Sequence, residues 1–525
     1  MDYKEIKAKP KSIAKDYYIY RLLLEGNASK EELNDLYNEV SRMNPTLKSR
    51  FAKKIDVDFN EVCKPLSVKS ALEANQTCLI KLLTPQFVEP LSDSAKTALL
   101  EKIKKESNFT ASWIIALKSK EPFKTMQKNG LAEEFLKIFN DMPKSYKQNL
   151  NFALDKKFLY KLESSPNSYE TFVKYIIFNA DEFPKPAKSL IYAPKSNKLT
   201  HHTLFYLGIN ALKSNNTKLA EELFDAASKN AYFRSDMDKS LFFSYLASNN
   251  QSTLLELSGS FDINIYSLYA KEKFGTPAKN IIFLSSSRQK AIHKFNMQDP
   301  FEWRLLLNKI KDMEKREMEI YSIGFDAQDT LPVYAFLLER LSNYKYHYFI
   351  IPFEEYLSGI EDERKALILA LARQESRFIP SAISTSYAIG MTQFMPNVAL
   401  DIAKKERWEN FDLDDMFQPQ IAYNFTDIHL NYLNTYLYHP LFVAYAYNGG
   451  IGYTKRMLQA DKLFKSGKYE PFLSIELLHG DESREYGKKV LANYVIYMEN
   501  FDKKVSIKEL LEILTQPSQT DKFRL

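Results

Sequence analysis

Apolar residues recur at intervals of three and four along most of the chain, the period of helices that bury one face. The segments SIAKDYYIYRLLLEG, KEELNDLYNEVSRM, AEEFLKIFNDM and YETFVKYIIFNA carry the pattern most plainly. The breaks between them are short and polar, often marked by Pro or Asn. This predicts helix after helix over residues 1–285. A linker-like stretch follows at about 276–300, and helices resume at FEWRLLLNKIKDMEKREMEIYS and LPVYAFLLERLSNYKYHYFI.

Short helices joined by short turns over nearly 300 residues suggest an α-solenoid, with an ordinary helical domain as the other reading. One window favours the first. Leu207-Gly208, then Ala220, Phe224 and Ala227, resembles the tetratricopeptide pattern, although the aromatic expected at Ala211 is missing and no 34-residue period runs through the chain. The expectation is a mainly all-α chain of irregular helical hairpins.

Glycine usage agrees, at 14 of 525 residues. An all-β chain needs more for its turns. Six of those glycines precede residue 346; the other eight fall beyond Pro352, where motif-like features also concentrate. Lys and Arg exceed Asp and Glu by 72 − 66 = 6, spread along the chain with no basic stripe, which argues against nucleic acid as partner. No apolar run reaches the ~18 residues of a membrane span. The start, MDYKEIKAKPKS, has no signal-peptide core, so the chain reads as cytosolic or as a mature form whose signal lies outside this numbering. Cys63 and Cys78 are two buried thiols or one disulfide, and spacing does not choose between them. The seven histidines are scattered. His201 and His202 adjoin, but neighbouring side chains on a helix point apart, so no metal site is expected.

The segment EDERKALILALARQESRFIP predicts a helix with Asp362 and Glu363 at its positive end and Pro380 beyond its stop. Leu367, Leu371 and Glu375 are spaced by four, so a carboxyl shares the buried stripe. Either Glu375 pairs with an arginine such as Arg373 or Arg377, or it is a desolvated acid able to hold a proton near neutrality. Further on, Gly390 precedes Gln393, Met395-Pro396 opens a helix, and Tyr447-Asn448 ends another at Gly449-Gly450. A last apolar segment carries Glu476, Glu482, Arg484 and Tyr486.

Together these motifs resemble the catalytic domain of the soluble lytic transglycosylases, related in fold to goose-type lysozyme. Glu375-Ser376 matches the family's Glu-Ser pair. Gly390-Met391-Thr392-Gln393 and Phe394-Met395-Pro396 match its G-L-M-Q and I-M-P motifs. Ala446-Tyr447-Asn448-Gly449-Gly450 matches A-Y-N-x-G, and Glu482-Ser483-Arg484-Glu485-Tyr486 matches E-T-R-x-Y. Ser384 falls where the family has a serine. Thr392 stands in place of Met and Tyr387 where Gly is common; both are expected to flank the sugar cleft.

The resemblance implies three parts: a U-shaped, ring-like α-superhelical domain at 1–285, a helical linker domain at 286–349 and a lysozyme-like catalytic domain at 350–525. It implies cleavage of the β-1,4 bond between N-acetylmuramic acid and N-acetylglucosamine in peptidoglycan, a lyase reaction needing no metal or organic cofactor. Glu375 would act as acid and then base. No other acidic residue follows it until Asp401, which suits an intramolecular attack better than two-carboxylate hydrolysis. Ser376, Ser384, Gln393, Met395, Tyr447, Asn448, Glu482, Arg484 and Tyr486 would line the substrate site, with Glu482 and Arg484 near stem peptides or bracing the cleft. A muramidase or a non-catalytic solenoid scaffold are the alternatives. The implied partners are glycan strands and stem peptides, the implied place is the periplasm, and the implied state is a monomer. A periplasmic enzyme tips Cys63 and Cys78 toward a disulfide.

Overall fold

The computed structural model describes residues 1–55, 63 and 67–525. Helices dominate, and the described strands are Ile281–Phe283 and His347–Phe349, paired in parallel with Ile281 opposite His347. The sequence suggested a linker at the first strand and the end of a helix at the second. Three residues are too few for periodicity to register, and left-handed Asn343 and Tyr344 stop the preceding helix short. No helix among the described residues is long and apolar enough to cross a membrane.

The chain forms two compact units, Asp58–Ser260 and a second made of Met1–Val57 with Phe261–Leu525. The first is a run of helices around aromatic side chains. Phe123, Phe135, Phe139 and Phe172 form one fully buried cluster of edge-on rings. Phe205, Phe224 and Phe243 form another between the helices His201–Lys213, Thr217–Asn230 and Arg234–Ser248. Gly208 lets the first two approach: a Cβ there would sit 2.6 Å from the Phe224 ring. This is the Gly and Phe pair of the tetratricopeptide-like window. Cys63 and Cys78 are joined by a disulfide in this unit.

The division differs from the three-part expectation, because residues 1–57 pack with the C-terminal part of the chain. The helix Ile13–Glu25, capped by Ser12, presents four polar or aromatic side chains to that part. Tyr17 and Tyr18 donate to the Asp414 carboxylate at 3.3 and 3.0 Å. Arg21 forks onto both oxygens of Asp412 at 2.8 and 2.7 Å. Tyr20 stacks on Tyr387, centroids 4.9 Å apart. Local periodicity finds such a helix without saying which distant segment covers it.

Candidate active site

The helix Asp362–Ser376 packs against Asp481–Asn500 and buries Leu367 and Leu371, as the spacing predicts. It ends earlier than Pro380 alone requires. Arg377 and Phe378 both take left-handed backbone, with φ of 58° and 65°. Such conformations cost about 1–3 kcal/mol each in non-glycine residues and concentrate where surrounding structure enforces them. The abrupt stop leaves Glu375 in the last turn with its side chain partly exposed.

Both arginines that could have neutralised Glu375 are engaged elsewhere. Arg373, itself buried, donates to Glu339 Oε1 at 2.5 Å and to the Tyr348 carbonyl at 2.6 Å. Arg377 donates to Glu339 Oε2 at 2.9 Å. Burial works against the Glu339 anion, but the two guanidiniums outweigh it and hold its pKa below the usual carboxylate range. Glu339 lies on the helix Leu331–Leu341, and no sequence signal tied it to the site.

Glu375 is therefore left without a cation among the described residues. Enough protein surrounds its carboxyl to desolvate it, which pushes its pKa up to about 7; Tyr486 pulls the other way and the Glu482 charge adds to the rise. Tyr486 Oη donates to Glu375 Oε1 at 2.7 Å, leaving Oε2 to carry a transferable proton. Removing that donor should raise the carboxyl's pKa further, because the bond favours the anion. In Tyr486→Phe the alkaline limb of the pH–rate profile should move to higher pH, with a rate loss of roughly tenfold at the optimum. An unmoved limb would mean that Tyr486 does not set the acid's affinity for its proton.

The polypeptide 383–394 forms one wall. Ile389 bridges both Ile383 and Phe394, folding the segment tightly. Gly390 sits at φ 80°, where an added Cβ would lie 2.3 Å from the Met416 carbonyl oxygen, so the position admits glycine alone. Ser376 Oγ ties the Glu375 helix to this wall through the Met391 carbonyl at 2.7 Å. Gln393, left-handed at φ 53°, donates its amide nitrogen to the carbonyls of Ala382 and Gly390 at 3.0 and 2.7 Å. Ser384 Oγ accepts the amides of Ser386 and Ala388 at 3.2 and 2.9 Å. These hydroxyl and amide groups shape the loop. Met395 is 41% exposed at the start of the helix Pro396–Lys405.

The opposite side comes from two helix ends. Tyr447 donates to the Thr392 carbonyl at 2.8 Å, and its electrostatic coupling to Glu375 raises its pKa after burial has done most of the lifting. Asn448 donates to Glu482 Oε1 at 3.3 Å and accepts from Ser483 Oγ at 2.6 Å, which fixes Glu482 on the Glu375 side. Arg484 is buried instead, bonded to the Leu478 carbonyl at 3.1 Å and paired with Asp481 at 2.9 Å, beside fully buried Glu476. Lys488 and Tyr266 also bind Glu476. Arg484 thus braces the last helix.

Two expectations about the cleft change. Tyr387 is buried against Tyr20 and Tyr17, in left-handed backbone at φ 68°. Thr392 is fully buried, its hydroxyl 3.5 Å from the Ala422 carbonyl. Both side chains are buried. Sequence reasoning missed His429, whose ring lies 5.6 Å from that of Tyr447 and 5.8 Å from that of Phe394. Burial lowers its pKa to about 4, so it is neutral at physiological pH. It belongs to no motif, and only the fold reveals it.

Residues 358–469 match the family described as Transglycosylase SLT domain. Those residues are therefore similar to a transglycosylase SLT domain. The match includes Glu375, Gln393 and Tyr447 and stops short of Glu482, Arg484 and Tyr486. A Haemophilus influenzae protein named as a soluble lytic murein transglycosylase is 26% identical to this chain over 198 residues, 36% of this chain and 32% of that protein. The aligned region thus spans about a third of the relative's length. An inactive mutant of the lytic transglycosylase Slt from Pseudomonas aeruginosa aligns over 94% of this chain and 83% of its own at 16% identity, TM-score 0.48. The 70 kDa soluble lytic transglycosylase of Escherichia coli aligns over 95% and 83% at 15% identity, TM-score 0.41.

Proposed function

We propose that the protein is a lytic transglycosylase that cleaves the β-1,4 bond between N-acetylmuramic acid and N-acetylglucosamine of peptidoglycan and leaves a 1,6-anhydro end. The observation that carries this is the Glu375 carboxyl: desolvated, without a cation among the described residues, bonded at Oε1 by Tyr486 and set inside the segment that matches the SLT family.

Glu375 begins protonated and gives its proton from Oε2 to the glycosidic oxygen as that bond breaks. The substrate's own N-acetyl carbonyl bears the positive charge that grows at the anomeric carbon. The resulting Glu375 carboxylate, held at Oε1 by Tyr486, removes the proton from the muramic C6 hydroxyl, which closes on C1. One carboxyl thus serves both steps. A nucleophile held within the same sugar has an effective molarity of about 10⁵ M or more, enough to outrun water. Tyr447, Gln393, Met395, Asn448 and Glu482 bound the space where the saccharide and its peptide would lie, and Ser376, Ser384, Arg484 and Tyr486 hold that boundary in shape.

Glu482 supplies the one specific argument for a hydrolytic reading, since its charge reaches Glu375 and a second carboxylate is what a muramidase uses. The product decides. Digestion of purified peptidoglycan should release muropeptides that are one water lighter than hydrolysis products and lack a reducing end. Reducing-end products would discard the transglycosylase reading, and an absence of products would leave a binding scaffold.

We propose further that cleavage is exolytic and that the enzyme works in the periplasm as a monomer. The helical run before residue 261 offers a glycan strand an extended surface, and the Cys63–Cys78 disulfide suits an oxidising compartment. Short anhydro fragments should appear first from long strands. Early release of long internal fragments would refute the end-first mode.

A further inference from the structure

In the unit Asp58–Ser260, three helices bring nitrogen and carboxylate donors together, away from any SLT motif. His201 and His202 open the helix His201–Lys213, Asp236 lies in the first turn of Arg234–Ser248, and Glu170 lies on Pro166–Phe178. The two imidazoles do not point apart, as adjacency on a helix led one to expect. Their rings sit 3.8 Å apart between centroids, because both are at the opening turn and each leans toward an acid.

His201 Nε2 is buried and 3.2 Å from Asp236 Oδ2, yet it makes no aligned hydrogen bond. His202 Nδ1 is 3.3 Å from Glu170 Oε1. One donor atom each from His201, His202 and Asp236 lies within 4.8 Å of the others. Metal–ligand bonds of about 2.0–2.1 Å in a tetrahedron place neighbouring donors roughly 3.3 Å apart. Two edges of that figure are already present, and the wider gaps can close by rotation of His202, whose side chain is 40% exposed.

We propose that His201, His202 and Asp236, with Glu170 as fourth donor, form a binding site for a divalent cation of the zinc class. Imidazole nitrogens with carboxylate oxygens select zinc, cobalt or nickel over magnesium and calcium, which prefer all-oxygen shells. The charges facing the site agree. Two carboxylates stand against one ammonium, Lys239, which lies 3.1 Å from Asp236 Oδ1 and leaves Oδ2 to the cation. Bound there, the ion would cross-link three helices of the unit that are not neighbours in sequence, a structural role independent of Glu375.

The test uses the full-length chain, stripped with a chelator and titrated with Zn²⁺ and, separately, Co²⁺. One equivalent should bind, the thermal transition should rise, and Co²⁺ should give the intense visible absorption of a four-coordinate site. Asp236→Asn also deprives Lys239 of its partner, so His202→Asn, at the most exposed position, is the decisive variant. It should weaken Zn²⁺ binding at least tenfold and abolish the Co²⁺ spectrum while its circular dichroism stays that of the parent. Equal affinity in His202→Asn, no bound equivalent, or Mg²⁺ binding as tightly as Zn²⁺ would each overturn the site.

Discussion

Glu375→Gln should lower turnover of peptidoglycan by about 10³-fold or more while the protein stays folded. Glutamine keeps the size of the side chain and an oxygen for Tyr486 to bond, but it neither gives nor takes a proton. The wild-type pH profile should carry the same signature. The first step needs the protonated acid, so activity should fall as pH rises through about 7. Stability supplies a control. The folded state holds this proton more tightly than the unfolded chain, whose ordinary value is 4.5, so the folded state binds more protons between that value and about 7. Wild-type stability therefore declines as pH rises across this window, and the variant should lack that component. A variant that retained more than a few per cent of turnover would end the one-carboxylate mechanism.

The second large effect is on stability, at Glu339. Its carboxylate and the Arg373 guanidinium are both 3% exposed, with Arg377 more open at 36%. Glu339→Ala strands a buried guanidinium, and removing one member of a buried pair costs about 3–5 kcal/mol. The urea midpoint of the unit containing Glu339 should fall accordingly. Replacing Glu339 and Arg373 together by methionine should recover much of the loss, since no charge is then buried unpaired. An unchanged midpoint in Glu339→Ala would show that water reaches Arg373 and that the pair contributes little. The same substitution frees Arg377 to approach Glu375, so whatever protein remains folded should show a depressed acid pKa.

Much of this site was legible from the chain alone. Spacing by four placed Glu375 on the face of Leu367 and Leu371, and the structure buries both leucines beside it. The Gly and Phe pair at 208 and 224 fixed a helical hairpin from a single window. What sequence could not supply were long-range partners. Arg373 and Arg377 looked like neutralisers of Glu375 because they are near it in sequence, whereas Glu339, 34 and 38 residues upstream, captures both. His429 reached the site through helix packing that no periodicity encodes. Tyr387 looked like a change in the sugar cleft, and its ring instead forms the seat of an N-terminal helix. The three-residue strands lay below the length at which alternation can be read.

That N-terminal helix has a consequence for the order in which the molecule can be completed. Tyr17 and its acceptor Asp414 are 397 residues apart in the chain. Ribosomes add about 5–20 residues per second, so the helix Ile13–Glu25 waits roughly 20–80 s before its seat has been completed. Through that interval Tyr17 and Tyr18 lack the Asp414 carboxylate, and only earlier-made partners such as Arg50 over Tyr20 and Phe301 against Tyr18 can cover the helix. The helix Ile13–Glu25 is thus made long before the residues that seat it, and a ribosome-stalled chain ending before residue 412 should leave it open to protease.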